Sequence, residues 1–193
     1  MALTPSTMLP LGTVAPALGL LDTVSGQAVD LPAPGEAAAT LVMFICNHCP
    51  YVVHVMDGLD AVAGDYLPRG VRVIAINSNS AQTHPQDGPA YMKRLAQERG
   101  WAFPFAFDAT QSVAKAYRAA CTPDFYVFDR DLKLTYRGRL DSSRPNSGVP
   151  VTGADLRAAL DATLEGQPVL GEQWASMGCN IKWQPGQEPD YFG

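Results

Sequence analysis

A chain of 193 residues, 47% apolar and only 17% charged, is long enough to bury a core and too apolar to be disordered. Fourteen basic against nineteen acidic residues give a formal charge of −5, which weighs against nucleic acid and anionic membranes as partners. No apolar run reaches the length of a membrane span, and the start of the chain, Met1-Ala-Leu-Thr-Pro5, lacks the positive region of a secretory signal, so a cytoplasmic location is expected.

Residues 1–17, rich in Pro, Thr and Ala, read as an irregular arm draped over the surface. Leu18–Val24 and Gln27–Leu31, joined at Ser25-Gly26, are a predicted hairpin. Pro32, Pro34 and Gly35 mark a loop, and 40–45 is a buried strand. Val52, Val53, Val55, Met56, Leu59, Val62 and Tyr66 keep a helical stripe, predicting a helix from Pro50 to Tyr66. Proline is tolerated at that start because its missing N–H would lack a partner there anyway. Residues 71–77 form the next strand, 78–88 a polar loop, and 89–99 a helix stopped by Gly100. Residues 101–107 read as a short strand, followed by a helix capped by Thr110 or Asp108 and running through Arg118. Residues 125–129 and 132–139 make an antiparallel hairpin across Arg130-Asp131. Thr152 caps a last helix, with Asp155 in its first turn and its end at Gly166. Residues 167–193 form a second irregular arm, so one domain spans 1–193 with its core at 18–166.

The chemistry-bearing stretch is Cys46-Asn47-His48-Cys49, directly after the apolar strand and before the helix. Two thiols at that spacing can close a small disulfide ring, and the unpaired amides of a helix's first turn favour a thiolate. Four cysteines are too few for a disulfide scaffold in a chain of this size; a close pair reads as redox-active or metal-binding. His48 adds an imidazole that either tunes the thiols or is simply an exposed helix residue. As a metal reading, Cys46, His48 and Cys49 offer two sulfurs and a nitrogen, with His54 little more than a turn further on. No second cysteine pair completes a four-ligand zinc site, so no metal or cofactor is expected. His84 is read as a solvated loop residue, and Arg137, Arg139 and Arg144 as surface partners for Asp141.

A second marker, Cys121-Thr122-Pro123-Asp124, precedes the strand that starts at Phe125. Parallel strands with crossover helices, then an antiparallel hairpin and a terminal helix, describe an α/β, thioredoxin-like fold. It carries an N-terminal β-hairpin extension, an inserted αβ unit and an extended C-terminal arm. The stretches Phe44-Ile-Cys-Asn-His-Cys-Pro-Tyr-Val52, Ala120-Cys-Thr-Pro-Asp-Phe125 and Gly178-Cys-Asn-Ile-Lys-Trp183 resemble the peroxiredoxin-like thioredoxin-fold group, related to the alkyl hydroperoxide reductase/thiol-specific antioxidant proteins.

The resemblance implies a cis Thr122–Pro123 bond facing the dithiol, with the preceding backbone pairing to substrate as an added strand. In the thioredoxin manner Cys46 is the exposed attacker at the helix mouth and Cys49, one turn in, resolves. In the peroxiredoxin manner Cys49 is the peroxidatic cysteine. Peroxiredoxins place a Thr and an Arg where this chain has Cys46 and Pro123, so disulfide exchange is the leading reading and peroxide reduction the alternative. Copper-delivery proteins on this fold space their cysteines one residue wider. Cys121 is either a third redox partner or a small buried apolar residue. Cys179 is either a resolving cysteine on the C-terminal arm or packed under Trp174, Ile181 and Trp183. The partners implied are a disulfide-bearing protein or a small thiol or disulfide, with a thioredoxin- or glutathione-type reductant; no nucleic acid and no membrane is implied.

Overall fold

The computed structural model describes residues 3–192. In chain order its elements are Leu3–Pro5 (β1), Leu20–Leu21 (β2), Ala28–Val29 (β3), Ala39–Phe44 (β4), Pro50–Tyr66 (α1), Val71–Asn77 (β5), Pro89–Arg99 (α2) and Phe105–Phe107 (β6). Then come Ser112–Ala116 (α3), Cys121–Thr122 (β7), Asp124–Phe128 (β8), Leu134–Gly138 (β9), Ala154–Leu164 (α4) and Met177–Asn180 (β10). The main sheet has the order β6-β5-β4-β8-β9. Strands β4, β5 and β6 are parallel, while β8 runs antiparallel to β4 and β9 antiparallel to β8.

Strand β4 is buried at every position, as a central strand covered on both faces must be. Alternation splits its side chains between two layers. Leu41 and Met43 pack with Val52, Val55, Met56 and Leu59 of α1 and with Leu156 and Leu160 of α4. Val42 and Phe44 face the other layer, with Ile74, Ile76, Tyr117, Tyr126 and Trp183. There Phe44 meets the edges of Tyr117 and Tyr126 at centroid distances of 5.5 and 5.8 Å. Such pairs contribute roughly 0.5–1.5 kcal/mol each beyond the area they bury.

Helix α1 starts where the sequence places it. Cys49 is the extended N-cap (φ −65°, ψ 123°), and Pro50 opens the helix with its φ already set. Pro68 and Gly70, at φ +82°, end the helical run and turn the chain into β5. The hairpin β2–β3 also forms, closed by Gly26 at φ +73° and by the Asp22 carboxylate, which accepts from the amide and hydroxyl of Ser25. No helix among the described residues is long and apolar enough to cross a membrane.

Several expectations need correction. The two arms are not irregular. Strand β1 pairs with β10, and β10 pairs with β7, in a separate antiparallel sheet. Leu9, Ala15 and Leu18 of the N-terminal arm, with Ile181 and Trp183 of the C-terminal arm, complete the second core layer. These apolar residues lack a clean period because they fill gaps from extended backbone. The strand expected over 101–107 covers only Phe105–Phe107, because Trp101 stacks on Phe103 ahead of it. Helix α3 starts at Ser112 and ends at Ala116; Thr110 does not cap it. The Asp108 carboxylate accepts from the Ala114 amide at 2.9 Å and from Ser78. Helix α4 has Gly153 as N-cap, and Thr152 accepts only a long contact from Ala154 at 3.3 Å. The buried Asp141 carboxylate accepts instead from the amides of Thr152 and Gly153 at 2.7 Å, so it is no surface partner for arginine. Arg139 pairs with Asp155, Arg137 with Gln173, and Arg144 donates to the carbonyls of Asp141 and Ser143.

Asp124, fully buried at the start of β8, accepts from the Tyr126 hydroxyl at 2.8 Å. Burial pushes its carboxyl up to about 7, against the opposing hydrogen bonds from Tyr126, Ser176 and Ser6. A raised acid keeps its proton in the folded chain after the unfolded chain has lost it. The contribution of Asp124 to stability therefore falls as pH rises between about 4 and 7, by about 4 kcal/mol over the window. Asp124→Asn removes that contribution, so the stability of the native chain relative to the variant should fall from about pH 4 to about pH 7, which urea midpoints of both at the two ends of the window will show.

Candidate dithiol site

The parallel register places Phe44 of β4 beside Ile76 of β5, and the Ile45 amide donates to the Ile76 carbonyl at 3.0 Å. Both strands therefore end level, and the loops that follow them lie side by side. The first loop carries Cys46, Asn47 and His48; the second carries His84 and Asp87. This is the end of an open α/β sheet at which binding and catalytic groups collect.

Cys46 and Cys49 are both fully buried. That corrects the expectation of an exposed Cys46. Cys46 lies four residues ahead of Pro50, where α1 begins, while Cys49 is its N-cap and so takes the place at the helix mouth expected of Cys46. Pro50 decides this, because it fixes the first helical residue after both thiols. The Thr122–Pro123 bond is cis, and Thr122 meets both sulfurs. Its hydroxyl lies 3.4 Å from Cys46 Sγ, and its carbonyl 3.3 Å from Cys49 Sγ.

The two thiols titrate as a pair. The hydrogen bond from Cys46 is the largest cause that brings Cys49 down to about 4, helped by hydrogen bonds from Cys179 and the Val52 amide and opposed by burial. The helix N-terminus favours the same charge. Cys46 is pushed well up, first by holding that hydrogen bond, then by burial and by the negative charge of Asp87.

Asp87 is a site residue that the sequence reading missed. Its fully buried carboxylate accepts from the Asn47 amide at 2.9 Å and from Asn79 Nδ2 at 2.8 Å, and it lies against His48 Nδ1 at 2.5 Å. His48 therefore sits in the loop before α1, held by a carboxylate, and is not an exposed helix residue. Its ring stacks on His84 with centroids 5.2 Å apart. His84 is thus no isolated solvated residue; burial and then His48 push its imidazole below its ordinary value. An acidic residue after His84-Pro85 in a polar loop gives no signal of its own. Only the level ends of β4 and β5 connect it to the dithiol.

His54 leaves the cluster altogether and hydrogen-bonds Ser143 at 2.7 Å. Cys46, His48 and Asp87 offer ligand atoms within 4.8 Å of one another, so the ligand-type residues that converge differ from the expected set. Cys121 is fully buried, its sulfur 3.9 Å from the carbonyls of Pro123 and Ser176, and burial pushes its thiol well up. Cys179 does not pack under the aromatic residues. Ile181 and Trp183 lie in the core layer that holds Phe44, whereas Cys179 belongs with Cys46 and Cys49 and hydrogen-bonds Cys49. Trp174 is half-exposed.

Residues 11–137 match the AhpC/TSA family, more than half of the chain. The chain belongs to the AhpC/TSA family. An uncharacterized conserved protein from Geobacillus kaustophilus, known from its crystal structure, is 56% identical, with a TM-score of 0.93 over 96% of this chain and 98% of that one. The thiol-disulfide oxidoreductase ResA of Halalkalibacterium halodurans is 26% identical over 98 residues, 51% of this chain and 51% of its own. The chain thus spans about half the length of that curated relative. The thioredoxin domain of a thiol-disulfide oxidoreductase from Bacteroides vulgatus, 17% identical, superposes with a TM-score of 0.58 over 77% of this chain and 97% of that one. The fold of this AhpC/TSA member is thioredoxin-like, a mixed α/β sheet flanked by helices.

The pairing of the two thiols carries a test. Cys46→Ala removes the donor that holds the Cys49 charge, so the Cys49 thiol should climb from about 4 toward the ordinary range near 8.5. Thiolate absorbance followed against pH will read the change.

Proposed function

We propose that this AhpC/TSA member is a thiol–disulfide oxidoreductase whose working pair is Cys46 and Cys49. The observation that carries the reading is a buried pair of thiols set against the hydroxyl and carbonyl of Thr122, with Cys49 at a helix N-cap. The Cys49 thiolate attacks one sulfur of an external disulfide. One S–S bond breaks and a mixed disulfide with Cys49 forms, while the other substrate sulfur leaves as a thiolate and takes up the proton that Cys46 gives up. Cys46, relieved of its proton, then attacks Cys49 and expels the second substrate thiolate. The substrate gains two electrons, and the chain keeps a Cys46–Cys49 disulfide. His48, fixed by Asp87, borders Cys46 and helps to set the field in which it loses its proton. The proposed substrates are disulfide-bearing proteins or small disulfides, with a thioredoxin- or glutathione-type reductant closing the cycle in the cytoplasm.

Peroxide reduction at Cys49 is the second reading, favoured by the family and by a Cys49 thiolate at a helix N-cap. There the thiolate would take one peroxide oxygen to become a sulfenic acid, releasing water, and Cys46 would displace a second water to form the same disulfide. Against it, Cys46 and Pro123 stand where peroxiredoxins keep a Thr and an Arg.

Insulin-disulfide reduction with dithiothreitol separates these readings. The native chain should accelerate it, and Cys46→Ser and Cys49→Ser should each fall to the uncatalysed background. Cys46→Ser should accumulate a mixed disulfide on Cys49. A native chain that leaves insulin untouched, yet consumes hydrogen peroxide much faster than a free thiol does, would favour the peroxidase.

A further inference from the structure

The backbone edge nearest the two thiols is already occupied. Strand β10 lies antiparallel to β7, with Cys179 opposite Thr122 and Asn180 opposite Cys121. Its other edge is held by β1, where Leu3, Thr4 and Pro5 pair with Cys179, Gly178 and Met177. The approach to Thr122 is so close that a Cβ on Gly178 would lie 2.0 Å from the Thr122 carbonyl oxygen, a distance no side chain can hold. Both ends of the strand are tied down. Ser6 and Ser176 exchange two hydrogen bonds of 2.9 Å, the Ile181 amide donates to the Ala120 carbonyl at 3.0 Å, and the Lys182 amide donates to Asn79 at 2.8 Å.

An extended peptide that carries a disulfide to Cys49 gains affinity by adding a strand to an open backbone edge. Beside these sulfurs that edge is Thr122, whose side chain and carbonyl already touch Cys46 and Cys49. Strand β10 lies on it, and its register sets Cys179 where a substrate's cysteine would sit. Cys179 shares the buried cluster of Cys46 and Cys49, and all three residues are buried.

We propose that β10 is a built-in occupant of the substrate-strand edge, and that an outside protein disulfide reaches Cys46 and Cys49 only after β10 has left β7. The idea rests on the disulfide-exchange reading for the meaning of the edge, but the masking is measurable on the reduced chain without any turnover. Iodoacetamide alkylation of Cys46 and Cys49, resolved by peptide mass spectrometry, reads it. In the native chain the rate should level off with rising reagent, because opening of the arm limits it. Gly178→Ala, which cannot keep the close approach to Thr122, should speed alkylation by roughly tenfold or more while circular dichroism stays native. Ser6→Ala, which loosens the far end of β10, should give a several-fold increase and serves if Gly178→Ala does not fold. Alkylation of the native dithiol that rises linearly to the rate of an exposed thiol overturns the proposal, as does a folded variant that reacts no faster. Fast alkylation of Gly178→Ala with no insulin reduction by any variant would support the masking and sink the exchange reading.

Discussion

The site depends on the position of one residue, Thr122. Its hydroxyl reaches Cys46, its carbonyl reaches Cys49, and its backbone pairs with Cys179. Three sulfurs from two distant parts of the chain meet because this short segment crosses the end of the sheet between β4 and the C-terminal arm. Moving Thr122 by the width of a methyl group would part its hydroxyl from Cys46 and its backbone from Cys179, and buried polar groups left unpaired cost about 1–3 kcal/mol each.

Two layers of packing hold Thr122 there. Phe125 of β8 stands opposite Met43 of β4, so the chain leaving Pro123 is anchored to a strand buried at every position. Helix α1 begins at Pro50 against the same strand's end and brings Cys49 to the helix mouth. From the other side, Trp183 and Ile181 sink into the second core layer and draw β10 across the dithiol. Burial by two independent layers keeps the thiols dry. In such surroundings a single hydrogen bond between sulfurs, a carboxylate beside one of them and a helix end beside the other are enough to separate their proton affinities.

The strands and helices around this site were legible because their residues repeat. The run ending at Ile45, the stripe from Val52 to Tyr66 and the cysteine spacing of 46 and 49 each follow from local pattern, and Thr122-Pro123 pointed to the opposing segment. Strands β1 and β10 were not legible. They are short, they pair only with each other and with a two-residue strand, and Gly178 carries no β preference; its reason is the closeness of Thr122. Asp87 was hidden for a similar cause, since its partners Asn47, His48 and Asn79 are set by the level ends of two parallel strands and not by spacing along the chain. Cys46 was expected exposed at the helix mouth, but a helix that begins at Pro50 has Cys49 as its cap, and Cys46 is buried.

The central claim is that Cys46 and Cys49 form one two-electron couple facing Thr122. Equilibrating the full chain across a series of glutathione redox buffers, with disulfides mapped by mass spectrometry at each ratio, tests it most directly. The account predicts a single transition in which Cys46 becomes joined to Cys49 while Cys121 stays a thiol. Absence of a Cys46–Cys49 disulfide at every ratio would contradict it.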